Sequence, residues 1–128
     1  MILVTGGTGL VGSHLLFELT KSDQNIRALY RRIETIEKVK KIFSYYTDKA
    51  ENQFKKIQWF QANLNDLQGL NKAFKGITHV YHSAALISFA PNDYTKLKKI
   101  NTEGTANIVN LCISHSIKKL CYVCLLYT

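Results

Sequence analysis

One proline in 128 residues, set against 46% apolar side chains, argues for a single continuous globular domain with enough apolar material to bury a core. No apolar run is long enough to span a bilayer. The opening Met-Ile-Leu-Val-Thr-Gly-Gly has neither a basic stretch nor a small-residue cleavage site, so a cytoplasmic location is expected. Cysteine is sparse: Cys112, Cys121 and Cys124 are an odd number without an export signal, which argues against a disulfide framework. Cys121-x-x-Cys124 has the spacing of a redox pair, but it lies in an apolar, strand-like run rather than at a helix N-terminus that would lower a thiol pKa. Buried, inert thiols are expected.

Acid is scarce too. Nine carboxylates against seventeen lysines and arginines leave a formal charge of +8, which attracts anions of any kind. A basic nucleic-acid binder is one reading of that balance. The lysines are nevertheless scattered, as at Lys38, Lys40 and Lys41, at Lys96, Lys98 and Lys99, and at Lys118 and Lys119, with no zinc-finger spacing or RNA-binding aromatic motif beside them. Solvated helix faces are the preferred reading.

What is present alternates. Ile2-Leu3-Val4 is a short apolar run of the kind a buried parallel strand uses. A helical stripe of Val11, Leu15, Leu16 and Leu19 follows, then a strand at Ile26–Tyr30. The spacing of Ile36, Val39, Ile42 and Phe43 predicts a helix from about Glu34 to Ala50, closed at Asn52-Gln53. A third strand is expected at Ile57–Phe60, a short helix at Leu67–Phe74 and a fourth strand at His79–His82. A long helix should run from about Asn92 to Ser116, with Leu97, Ile100, Gly104, Ile108 and Leu111 inward, before a fifth strand at Leu120–Leu125. Connections this long impose parallel pairing through right-handed crossovers. The expected fold is α/β, a Rossmann-type doubly wound parallel sheet of five strands in the order 3-2-1-4-5.

Between the first strand and the first helix stands Thr5-Gly6-Gly7-Thr8-Gly9-Leu10-Val11-Gly12. Gly6 lets the chain turn off the strand, Gly9 removes the Cβ that would block a pyrophosphate, and Gly12 is expected to let helix and sheet touch. The helix N-terminus then offers free amides and a positive dipole end to an anion. Without a following Gly-Lys-Ser/Thr, a Walker-type loop is excluded. At the tip of the second strand, where NAD enzymes carry an acid against the ribose 2′-hydroxyl, the residues are Tyr30-Arg31-Arg32. Two guanidiniums suit a 2′-phosphate, so NADP is expected, with NAD the alternative.

On these residues the chain resembles the extended short-chain dehydrogenase/reductases, a superfamily of nucleotide-sugar epimerases, dihydroflavonol reductases and 3β-hydroxysteroid dehydrogenases. The glycine loop is similar to the family's TGxxGxxG. Ala62-Asn63-Leu64-Asn65-Asp66 resembles its (G)DLxD segment beside the adenine, with Asn63 in place of the usual aspartate. Val80-Tyr81-His82-Ser83-Ala84-Ala85 is similar to VxHxAA, and Asn101-Thr102-Glu103-Gly104-Thr105 to NxxGT. The resemblance implies a cofactor site built from Thr5, Gly6, Gly9, Leu10, Val11, Gly12, Tyr30, Arg31, Arg32, Asn63, Leu64, Ser83, Ala84, Ala85 and Asn101. Arg31-Arg32 and Ser88-Phe89 look closest to the dihydroflavonol-reductase-like branch. Each match has a plainer reading: His82 as a hydrogen-bonded core histidine, Asn101 as a bridge between helix and loop.

The family's hydride transfer uses a tyrosine as acid/base, a lysine that lowers its pKa and a serine or threonine on the substrate oxygen. No Tyr-x-x-x-Lys occurs here, and Cys124-Leu125-Leu126-Tyr127-Thr128 stands where relatives carry a Ser-Ser or Ser-Thr pair. As written, the chain is expected to be a cofactor domain without catalytic residues, its substrate domain absent. A coding string for Cys124–Tyr127 read out of frame yields Ser-Ser-Ile, so a frameshift after Val123 is one expectation. Self-association through the fifth strand's edge or the long helix is another. Beyond an oxidoreductase or epimerase acting on a carbonyl or alcohol, the other reading is a non-catalytic NADP sensor or interaction protein of the same fold.

Overall fold

The computed structural model describes residues 1–84 and 91–123. Five parallel strands, β1 (Ile2–Thr5), β2 (Ile26–Tyr30), β3 (Ile57–Gln61), β4 (His79–His82) and β5 (Lys119–Tyr122), form one sheet in the order β3-β2-β1-β4-β5. Ile2 pairs with Ile26 on one side and His79 on the other, while Ile26 pairs with Ile57 and His79 with Lys119. The expected architecture is therefore the one found.

Successive strand side chains point to opposite faces, and here both faces are covered, which is why the inner strands read as continuous apolar runs. On one face Ile2, Val4, Ile26 and Ala28 meet Leu16 and Phe17 of α1 (Leu10–Leu19) and Val39 and Phe43 of α2 (Glu34–Tyr46). On the other, Leu3, Leu29 and Val80 meet Leu70 and Phe74 at α4 (Leu67–Ala73) and Ile108 and Cys112 of α6 (Gly104–Ser114). Val11, expected in the α1 stripe, is exposed instead, and Ser13 is buried on the core side. The inward face of α1 is Gly12, Ser13, Leu16 and Phe17, rotated from the expected stripe by one to two positions.

Two helices differ from the sequence expectation. The segment from Glu34 breaks after Tyr46 at Thr47, which is extended with φ −155° and ψ 146°, and resumes as α3 (Ala50–Phe54). Ala50 is thereby buried against α2 and β3 rather than continuing one straight axis. The long helix is composite: a 3₁₀ turn at Pro91–Asp93, then α5 (Tyr94–Leu97), a π-helical turn at Lys98–Glu103, and α6. Ile100, Gly104, Ile108 and Leu111 do face inward, whereas Leu97 is only half-buried and outside the core.

The thiols also divide. Cys112 is buried, and burial pushes its thiol pKa up, whereas Cys121 is exposed, contrary to expectation. Cys121 sits on β5, a sheet edge that no other described element covers. Cys124 and the rest of the predicted strand to Leu125 lie outside the described residues, as do Ala85, Ser88 and Phe89.

Candidate functional site

In an open parallel sheet a crevice forms at the C-terminal strand ends where successive connections leave in opposite directions, here between β1 and β4. A cleft of about 450 Å³ occupies that place. Its floor and walls bring together Thr5, Gly6 and Gly9 after β1, Tyr30 and Arg31 at the tip of β2, Asn63 and Leu64 after β3, and Ser83 and Ala84 after β4. Thr8, Ala62 and Asn65, which belong to the same motifs, line it as well, and so do Leu29, Lys96, Lys99 and Ile100, for which the motifs give no sign.

The loop is held by its own backbone. Gly6 has φ +69°, and a Cβ there would stand 2.5 Å from the Ala84 nitrogen, so the chain can cross the end of β4 only with glycine. The Gly9 N–H donates to the Gly6 carbonyl at 3.0 Å and the Ser13 N–H to the Gly9 carbonyl at 2.9 Å. A Cβ on Gly12 would fall 1.9 Å from the Gly6 oxygen. This corrects one expectation: Gly12 closes the loop onto itself, and Gly7, whose Cβ would meet Leu16 Cδ1 at 2.8 Å, is the residue that lets helix and sheet approach.

Gly9 is different, because a Cβ built on it meets only the Gly6 oxygen, at 3.4 Å, and otherwise points into open space. It is also the cap of α1 and has no side chain to receive the first helical amides. That leaves the amides of Leu10, Val11 and Gly12 at the helix mouth, with the Leu10 and Val11 side chains exposed and outside the cleft. A small anion fits this cradle: the space is open on the Gly9 side, and the donors there are backbone amides.

His82 does not line the cleft. It is buried, with Nδ1 2.6 Å from Thr5 Oγ1 and Nε2 2.9 Å from Thr105 Oγ1, and its ring stacks on Tyr122. Burial pushes its pKa down to about 4, so at neutral pH the imidazole is uncharged. Thr5 in turn accepts from the Ala84 N–H at 3.3 Å, and Ser83 Oγ donates to the Thr5 carbonyl at 2.7 Å. The core-histidine reading of His82 is the one the geometry supports: it ties the end of β1 to α6 and so braces the loop from below.

The remaining motif residues sort similarly. Asn63 Oδ1 accepts from the Asn65 N–H at 2.8 Å and shapes the turn, while Leu64 is buried with its carbonyl held by Asn107 Nδ2 at 2.8 Å. A Cβ on Gly104 would lie 2.8 Å from Leu64 Cβ, which explains glycine in NxxGT as close helix-to-turn packing. Asn101 sits half-buried in the π-helical turn and does not line the cleft. Arg31 and Arg32 part company: Arg31 lines the cleft, whereas Arg32 is outside it, with Nε 3.9 Å from Glu34 Oε1 and a side chain 72% exposed. Among the described lining residues there are three basic groups, Arg31, Lys96 and Lys99, and no carboxylate.

The model of the family described as male sterility protein matches residues 4–125 of this sequence. The chain is 30% identical over 122 residues to the 3β-hydroxysteroid dehydrogenase/Δ5→4-isomerase of monkeypox virus, covering 93% of this chain and 32% of that protein. It is 29% identical over 112 residues to the dihydroflavonol 4-reductase of Hordeum vulgare, with 87% and 30% covered. The crystal structure of a short-chain dehydrogenase/reductase superfamily protein from Agrobacterium tumefaciens with bound NAD shares the fold, with a TM-score of 0.73, 24% identity and coverage of 95% and 31%. The sequence thus spans about a third of the length of the relatives it matches.

Proposed function

This chain belongs to the NAD-binding family described as male sterility protein, and from that premise we propose that its cleft binds a nicotinamide dinucleotide in the NADP form. The observation that carries the choice is Arg31 on the cleft wall at the tip of β2, with no carboxylate among the described lining residues. A guanidinium cannot lose its proton near neutral pH and grips a phosphate through two parallel N–H donors. An acid at this position would instead accept from a free 2′-hydroxyl. NAD is the alternative, since the Agrobacterium tumefaciens structure holds that form.

Within this reading the loop of Thr5 to Gly12 receives the diphosphate, Arg31 the 2′-phosphate, and the Asn63-Leu64 turn the adenine side. Bound there, the dinucleotide supplies a hydride donor or acceptor. The residues of this chain bind and orient it, with Thr5, Ser83 and Ala84 holding the two strand ends at a constant spacing. The protein in which residues 1–128 serve as the cofactor domain would be an oxidoreductase or epimerase acting on a carbonyl or alcohol carbon. A cytoplasmic location accords with this reading; no described helix is long and apolar enough to cross a membrane. Self-association through the β5 edge is also part of it, because Lys119, Cys121 and Tyr122 are exposed there. Light scattering at high concentration reads that directly, and a clean monomer would remove it.

Titration of the chain with NADPH and NADH by calorimetry tests the cofactor assignment. NADPH should bind the more tightly, and Arg31→Ala should lose about tenfold for NADPH while leaving NADH unchanged, the size of one charge-assisted phosphate contact. Equal affinities for the two forms in the unaltered chain would remove the NADP claim.

A further inference from the structure

The helical wall of the cleft carries Lys96 and Lys99, and the reason both border the cleft lies in the helix register. Gly104 is seated on Leu64, itself a lining residue, so the face of the helix bearing Gly104 is the face turned to the cleft floor. In an α-helix the residue one turn above Gly104 is four positions back, at Ile100. Here the Gly104 N–H donates to the Lys99 carbonyl, five positions back, the bond that defines a π-turn. The wider turn changes the register of the helix ahead of Gly104, and Lys99 and Ile100 both border the cleft there, Ile100 packing against the core as well. Lys96, three positions before Lys99, follows it on the same side.

We propose that Lys96 and Lys99, brought to the cleft by the π-helical turn at Lys98–Glu103, form a second cationic jaw that holds the diphosphate of the bound dinucleotide against the glycine loop. The inference rests on the cleft being a dinucleotide site. A diphosphate carries its charge in both the NAD and NADP forms, whereas the amides at the mouth of α1 carry only partial charge and, with Gly9 as cap, receive no side-chain help. Lysine suits this place because its flexible stem lets an ammonium follow either phosphate. The glycine loop supplies the shape of the site and the lysine jaw supplies full charge.

The experiment titrates the full chain with NADH, NADPH and ADP-ribose by calorimetry. It compares the unaltered protein with K96Q/K99Q, with K96R/K99R, and with K75Q/K118Q. The last pair removes the same charge at the opposite end of the sheet, ahead of β4 and β5. The expected result is a loss of about five- to tenfold for all three ligands in K96Q/K99Q, shrinking in high salt, with affinity retained in K96R/K99R and in K75Q/K118Q. Unfolding curves confirm that each variant is folded. Unaltered affinity in K96Q/K99Q overturns the proposal, as does an equal loss in K75Q/K118Q, which would make the effect one of net charge. A loss confined to NADPH overturns the diphosphate assignment. If the unaltered chain binds none of the three ligands, the dinucleotide reading itself fails and takes this one with it.

Discussion

The two walls of the cleft are built on opposite principles. The glycine loop between β1 and α1 is backbone fitted against backbone: Gly12 on the Gly6 carbonyl, Gly6 on the Ala84 nitrogen. The wall from α5 through the π-turn to α6 is a helix seated on side chains, the Gly104 backbone over Leu64 and Ile100 on the core. Peptide planes cannot rotate away without undoing the hydrogen bonds they carry, whereas a helix seated on a side chain can yield by a small shift of its axis together with a change of leucine rotamer. The loop is therefore the intolerant wall and the helix the adaptable one.

Methyl groups added to each wall put that difference to its hardest test. Gly12→Ala drives a Cβ to 1.9 Å from the Gly6 oxygen. It should cost about 3 kcal/mol and abolish dinucleotide binding. Gly104→Ala meets Leu64 Cβ and Cδ1 at 2.8 and 2.9 Å. It should cost about 1 kcal/mol, because overpacking is partly offset by alanine's better helix propensity. Thermal unfolding of the two variants reads both values, and equal losses would break the contrast.

His82 joins the walls, and its removal should rank between those two. His82→Gln disturbs the contacts to Thr5 and Thr105 inside the core and should cost about 2 kcal/mol. Its pH dependence has a definite sign. With the pKa held at about 4 in the fold against an ordinary 6.5, the unfolded chain binds the extra proton between those values. Stability from this group is therefore fully present above pH 6.5 and is lost as pH falls towards 4, by up to about 3 kcal/mol. Denaturant titrations across that range should show the slope in the unaltered chain and a much reduced one in His82→Gln; parallel curves would place the acid sensitivity elsewhere.

The smallest effect sharpens the ribose end. Arg32 is exposed and pairs only loosely with Glu34, so Arg32→Ala should change stability by less than about 0.5 kcal/mol. It should also leave the NADPH-to-NADH affinity ratio where it was. A shift as large as that of Arg31→Ala would mean that Arg32 turns into the cleft when a ligand arrives.

Much of this was legible in the chain. Ile2-Leu3-Val4, Ile26–Tyr30 and His79–His82 read as parallel strands because both faces of the sheet are covered, and burial leaves its mark on most of their residues. What escaped was direction. Lys96 and Lys99 read as ordinary solvated lysines, since nothing in Lys-Leu-Lys-Lys-Ile announces a widened turn. The break at Thr47 leaves no mark in the sequence, because Ala50 continues the helical spacing and differs only in which element it meets. Nothing local distinguishes Gly7 from Gly12, because the contact that requires Gly7, with Leu16, exists only once α1 lies on the sheet.

The sequence by itself determined the alternation of strands and helices, their parallel order and the place of the glycine loop. These follow from local steric and hydrophobic requirements that each segment carries within it. Only the tertiary structure decided which arginine borders the cleft, why His82 is a brace, and that Lys96 and Lys99 border the cleft beside the π-turn. Those outcomes depend on contacts such as Gly104 with Leu64 and Thr5 with His82, whose partners are far apart in the chain.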